Sequence, residues 1–144
     1  LEQCKYWNIP NVFLMITGYP TETLMDHQKN ISDIEKYKDY AQMGIIEMIR
    51  WGTTMHLIGD TPITSEKNVR ELGLKGSDND QISGGELATY NWTSDANPDL
   101  DLRERIRRRL ELHEKSVECG YPQPRVKAEL QTIYDMAKLL DKSQ

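Results

Sequence analysis

Val12-Phe13-Leu14-Met15-Ile16-Thr17-Gly18-Tyr19-Pro20-Thr21-Glu22-Thr23 decides how the rest of the chain is arranged. Five apolar residues lead into Thr17-Gly18-Tyr19-Pro20, and Glu22 and Thr23 then open a long stretch with helical spacing. The order is strand, turn, helix. A continuous apolar run suits a strand covered on both faces, as parallel strands in α/β proteins are. Gly18 lets the backbone leave the strand sharply or approach a ligand closely, and Pro20 stiffens the exit. Corners of this kind, at the carboxyl end of a parallel strand, are where α/β proteins place their sites.

Outward from the corner, the strand spans about residues 10–17 and the helix about 22–43, capped by Thr21 or Thr23 with Asp26 near its positive end. Leu24, Ile31, Ile34, Tyr37 and Ala41 form its apolar face, and Gly44 closes it. Ile45 to Trp51 reads as a second strand, so residues 10–51 form a β-α-β unit with parallel strands and a right-handed crossover. Upstream, Leu1 to Asn8 looks like the last two turns of a helix. Downstream, 64–72 is a short helix at best, and 73–98 is polar, glycine-rich and without period, a long loop. Asn97-Pro98 caps a helix running to about Cys119 and ended by Gly120, with Leu102, Ile106, Leu110, His113 and Val117 as its inner stripe. Val126, Leu130, Ile133, Tyr134, Ala137 and Leu140 give a last helix its face, and the two helices form an antiparallel hairpin.

The chain of 144 residues is 38% hydrophobic and carries a formal charge of −5, which gives no global basic field for nucleic acid or an anionic membrane. No apolar run approaches the roughly 20 residues of a spanning helix, and no signal peptide precedes the first strand, so a cytoplasmic protein is expected. Cys4 and Cys119 are too far apart for a CxxC-type cluster and give no disulfide framework. The sequons at Asn30 and Asn91 read as chance matches. His27, His56 and His113 lack metal-like spacing and read as surface or packed histidines. Arg103 to Arg109 is a basic run, but Asp101 with Arg105, Glu104 with Arg108 and Arg107 with Glu111 make i, i+4 opposite-charge pairs. It reads as a solvated, salt-laced face rather than a nucleic-acid surface. Trp92 and Tyr90 read as packing aromatics, and Glu47, inside an apolar strand run, must face water, pair with a base or line a cavity, with a buried partner as the expected answer.

Two parallel strands do not make a stable sheet. Strand, Ile16-Thr17-Gly18-Tyr19-Pro20-Thr21-Glu22-Thr23, helix, second strand and a later Ile58-Gly59-Asp60-Thr61-Pro62-Ile63 resemble the later part of a radical S-adenosylmethionine (radical SAM) barrel. That family often shows G-[FY]-P-G-E-T after the fifth strand and P-G-T-P after the sixth. Here Thr21 replaces the usual glycine, and the later turn gains Asp60 and lacks its leading proline. The resemblance implies an α/β fold: residues 1–65 as late β/α units of a partial TIM-like barrel, 66–96 as a long polar linker and 97–144 as a carboxyl-terminal helical hairpin.

The same resemblance implies an enzyme that binds a small-molecule cofactor, reductively cleaving S-adenosylmethionine at a [4Fe-4S] cluster to a 5′-deoxyadenosyl radical, which then modifies a substrate the resemblance does not name. A cobalamin-dependent methyl transfer is one outcome it leaves open. The family's Cys-x3-Cys-x2-Cys is absent, so the expected partner is a missing amino-terminal half of the same protein, without which the chain is inactive. Ser83-Gly84-Gly85-Glu86 stands in the wrong place for the family's Gly-Gly-Glu motif. Carried over, Ile16 and Gly18 match the positions that meet the adenine, with ordinary core and turn roles as the alternative. Arg50 and Trp51 end the second strand, where a barrel presents them to the cofactor's carboxylate and to substrate; the alternative for Arg50 is a rim salt bridge. Glu22 reads as a first-turn carboxylate rather than a ligand. A second expectation from another class is a non-catalytic interaction module whose hairpin binds a protein partner.

Overall fold

The computed structural model describes residues 1–50, 55, 57, 58, 61–76 and 92–122, and for 48–50 the backbone alone. It is mixed α/β. The elements are α1 (Glu2–Tyr6), β1 (Asn11–Leu14), α2 (Leu24–Lys36), α3 (Lys38–Gln42), β2 (Ile46–Arg50), a 3-10 turn at Pro62–Thr64, α4 (Glu66–Leu72), β3 (Leu74–Lys75), β4 (Thr93–Ser94) and α5 (Leu102–Glu118). β1 and β2 pair in parallel, with Val12 opposite Met48, Phe13 opposite Ile49 and Leu14 opposite Arg50. The β-α-β reading of residues 10–51 therefore holds at the level of order and strand direction.

Local chemistry explains the boundaries. Thr23 caps α2 through a reciprocal box: its hydroxyl accepts from the Asp26 N–H, and the Asp26 carboxylate accepts from the Thr23 N–H at 2.9 Å. The helix expected over 22–43 is two helices, because Tyr37 leaves helical geometry at φ −103° and ψ 9°. Its ring lies edge-on to Phe13 at 6.0 Å, so packing on β1 takes precedence over helix continuity. The loop expected over 73–98 contains the antiparallel pair β3–β4, joined at Leu74 opposite Ser94 and Lys75 opposite Thr93. Residues 77–91 of that loop, and all of the expected final helix, lie outside the described residues.

α5 departs furthest from expectation. Its cap is Asp101, whose carboxylate accepts from the Glu104 N–H at 2.7 Å, and not Asn97. Asn97 is engaged elsewhere, donating to the Glu22 carbonyl at 2.9 Å. The buried stripe is Arg105, Ile106, Arg108, Arg109, Leu112 and Ser116, while Val117 is 52% exposed. Three of the arginines read as a solvated face are therefore interior. Their aliphatic stems supply apolar surface that a hydropathy pattern counts as polar.

Beneath the parallel pair, Ile34 of α2, Ala41 of α3, Ile46 of β2 and Leu112 of α5 form a core joined by Cys119 and Tyr121, with Phe13 and Met15 packed on it. Contacts between α2 and α5 advance together: His27 meets Glu111 at 3.1 Å, Glu35 meets Lys115 at 2.6 Å, and the Tyr121 hydroxyl donates to the Ile34 carbonyl at 2.8 Å. The two helices thus run in the same direction along one side of the pair. On the other side Val12, Leu14 and Ile16 are 45%, 72% and 68% exposed. A second cluster, Leu57, Leu74, Trp92 and Leu100, packs beyond β2. Glu47 is exposed, so the interior partner expected for it is not needed.

Candidate functional site

The chain leaves β1 at Leu14 and turns at the corner that the sequence singled out. Tyr19-Pro20-Thr21-Glu22 is a tight turn closed by the Glu22 N–H donating to the Tyr19 carbonyl at 2.9 Å, with proline at its second position. Gly18 adopts φ +75°, which a side chain would strain, and its Cα faces the stem of Arg105; an added Cβ would lie 3.1 Å from Arg105 Cγ. Glycine is required here by backbone and space together.

Glu22 holds the corner closed. Its carboxylate is fully buried. Oε1 accepts from the Thr17 hydroxyl at 3.0 Å, and Oε2 accepts from the Gly18 N–H at 2.9 Å and from Arg108 Nη1 at 3.0 Å. A charge taken out of water needs this degree of pairing, since each ion costs several kcal/mol to desolvate. Arg108 is buried as well, and its Nε donates to Glu104 Oε1 at 2.8 Å. Glu104 also accepts from Arg107; hydrogen bonds from the two guanidiniums, Arg107 first, hold its carboxyl at about 2 against the opposing effect of burial. The expected first-turn carboxylate is therefore a buried anchor to a helix 86 residues away.

Arg105 forms a second layer. Its guanidinium stacks 3.7 Å from the centre of the Trp92 ring and donates from Nη2 to the Trp92 carbonyl at 3.0 Å. Nε donates to the Asp101 carbonyl at 3.2 Å. Burial pushes its pKa down to about 10, which still leaves it charged at neutral pH. Tyr19 is raised above its ordinary value by burial and by the nearby carboxylates of Asp26 and Glu22.

Of the site residues named from sequence, Ile16 and Gly18 share the corner. The Ile16 side chain stands exposed while its carbonyl accepts a 3.4 Å bond from Asn30, and Gly18 is buried. Arg50 is the last residue of β2, opposite Leu14 and hence at the same carboxyl end. Trp51 and His56 lie outside the described residues. Sequence reasoning read Glu22 within the corner motif only as a first-turn carboxylate, and it did not assign Arg105, Arg108 or Trp92 to the corner. The available signal was Glu22 four residues after a glycine that needs its N–H satisfied, with Arg105 and Arg108 spaced i, i+3 beside Ile106 and Leu112.

The residues present do not fit an iron–sulfur cluster. Cys4 is half-buried with its Sγ turned to Asn11 at 3.7 Å, and Cys119 is buried against Glu35 at 3.3 Å. Two separated thiols cannot supply three thiolates, and among the described residues no group of three His, Cys, Asp or Glu could hold a metal ion. What the corner offers is shape: an exposed aliphatic side chain beside rigid backbone at a strand end. His27 is buried against α5 and His113 is half-buried; burial and Arg109 lower the pKa of His113. No described helix is long and apolar enough to cross a membrane. Comparison with protein-family models, with curated proteins and with solved structures finds no match.

Proposed function

We propose that this chain is a late β/α portion of a radical SAM enzyme, in which β1 and β2 are adjacent staves of a partial TIM-like barrel and the Gly18 corner is one wall of the cofactor site. The observation that carries this is the asymmetry of the parallel pair. α2 and α5 run side by side and cover one face, and the opposite face presents Val12, Leu14 and Ile16 to solvent. Parallel strands are ordinarily covered on both sides. In a barrel the bare face becomes the lumen side, and Ile16 at the strand end meets the adenine of S-adenosylmethionine, with Arg50 and Trp51 beside it. When bound, the cluster and S-adenosylmethionine supply the radical chemistry; this chain supplies an apolar surface, a fixed backbone and exclusion of water. The cluster-binding cysteines belong to the amino-terminal half, no substrate is named, and cobalamin use remains tied to the methyl-transfer outcome. Nucleic acid is not part of the proposal, and the cytoplasm is the compartment it implies.

The test is to recover the complete coding sequence, purify its product without oxygen, load it with iron and sulfide, and assay 5′-deoxyadenosine formation from S-adenosylmethionine under a strong reductant. Formation of 5′-deoxyadenosine, abolished when the cysteines of a Cys-x3-Cys-x2-Cys are replaced, is the expected result. A full-length product with neither the motif nor the activity overturns it. That outcome would leave the other reading, a non-catalytic α/β module binding a protein partner through residues 97–142, whose second helix lies outside the described residues.

A further inference from the structure

We infer that Arg105 is a positioning residue that couples the corner after β1 to the segment after β2, so that a ligand seated at Gly18 is felt at Trp92. The ligand half of this inference rests on the function proposed above; the coupling itself does not. In α/β folds the segments following neighbouring parallel strands meet at the same end and share a site. Among the described residues, the Arg105 side chain bridges them. The Arg105 stem lies directly behind the Gly18 Cα, close enough that a Cβ there would press on its Cβ, Cγ and Cδ at 3.1 to 3.3 Å. Its head stacks on Trp92 and donates to the Trp92 carbonyl. Trp92 in turn donates its indole N–H to the carbonyl of Met55, five residues past the end of β2, at 2.9 Å.

Arg105 and Trp92 are both fully buried, so neither can yield toward solvent without the other moving. On the opposite side of the corner, Asn97 and Arg108 hold the Glu22 carbonyl and carboxylate. Displacement of Gly18 is therefore felt along two packed routes among the described residues, through Glu22 to Arg108 and along Arg105 to Trp92 and Met55, and the second leads to the segment after β2. The arginine head distinguishes this from simple filling: an apolar residue of the same length would support Gly18 without gripping Trp92.

The experiment is NMR on the 15N-labelled 144-residue chain and its Arg105→Met variant, with adenosine as the probe. Methionine keeps an unbranched stem under Gly18 and removes the guanidinium. Amide hydrogen exchange comes first, comparing Gly18 with Ile34 in the core. The expected result is exchange about ten-fold faster at Gly18 in the variant, with a smaller change at Ile34. Equal acceleration at both is what a merely structural loss produces, and it overturns the positioning role. In the titration, adenosine is expected to shift the Gly18 amide and the Trp92 indole signal in the parent chain, but Gly18 alone in the variant. A Trp92 response that persists in the variant overturns the coupling. If adenosine moves neither signal in the parent, the ligand reading of the corner fails, while the exchange comparison still decides the role of Arg105. Should the methionine variant not fold, Arg105→Lys, which loses the planar fork, takes its place with the same expectations.

Discussion

Phe13 and Met15 on one side of β1, and Val12, Leu14 and Ile16 on the other, are equally apolar, yet the first pair packs into the core beneath α2 and α5 while the second set stands in solvent. Strand geometry sends successive side chains to opposite faces, so a run of five apolar residues asks for two covered faces. The described residues cover one. The difference teaches that the packing described here draws on one side of the strand and leaves the other side exposed. On the covered side every apolar side chain already has its neighbours. On the bare side the sequence carries apolar surface that awaits a use, which the barrel reading supplies.

The largest effect should come from the covered side. Leu112 of α5 is fully buried in the core shared by Ile34 and Ile46. Leu112→Ala leaves helix propensity intact and removes three carbons from a packed interior, and should cost about 2–5 kcal/mol in urea unfolding. A loss under about 1 kcal/mol would mean that α5 is not firmly seated on the sheet, and the two faces of β1 would then differ less than the structure shows.

Acid should loosen the same side by a smaller amount. The Glu104 carboxyl is lowered from 4.5 to about 2, chiefly by hydrogen bonds from Arg107 and Arg108. A carboxyl depressed in the folded state binds fewer protons there than when unfolded, so its contribution is complete above about pH 4.5 and is lost as the pH falls toward about 2. Stability followed by thermal melts at descending pH should fall through that window, and Glu104→Gln should flatten part of the slope. An unchanged slope in Glu104→Gln would show that Glu104 carries none of the acid sensitivity and does not help fasten α5 to the corner.

Much of the covered side was legible in the sequence because its signals are local. The apolar run of β1, a threonine cap with Asp26 in the first turn and the pairing of strands around α2 follow from neighbours a few residues apart. The break at Tyr37 was not, since neither glycine nor proline marks it and the competing contact is with Phe13. The start of α5 was misplaced for a similar reason: Asn97 looks like a cap, but its amide is spent on the Glu22 carbonyl. At the corner, Ile16 and Gly18 could be named only through the resemblance that the Gly18-Tyr19-Pro20 motif carries. Their supports could not, because Arg105 and Arg108 come from far along the chain and a periodic reading scores arginine as solvent-facing even when its stem lines the core.

The smallest effect belongs to the bare face, and it sharpens the comparison most. Leu14 is 72% exposed at the centre of that face, opposite Arg50 in β2. Leu14→Thr keeps a residue suited to strands and removes apolar surface that contacts little, so unfolding of the 144-residue chain should change by no more than about 0.5 kcal/mol. In the proposed full-length enzyme the same substitution should cost several times more, because a threonine hydroxyl would then be buried against the apolar neighbours of the barrel interior. A large loss already in the 144-residue chain would show that something in solution covers Leu14, and sedimentation at two concentrations would tell whether it is a second copy. The face would then be an interface of this chain, and the proposed lumen role of this side of β1 would fail.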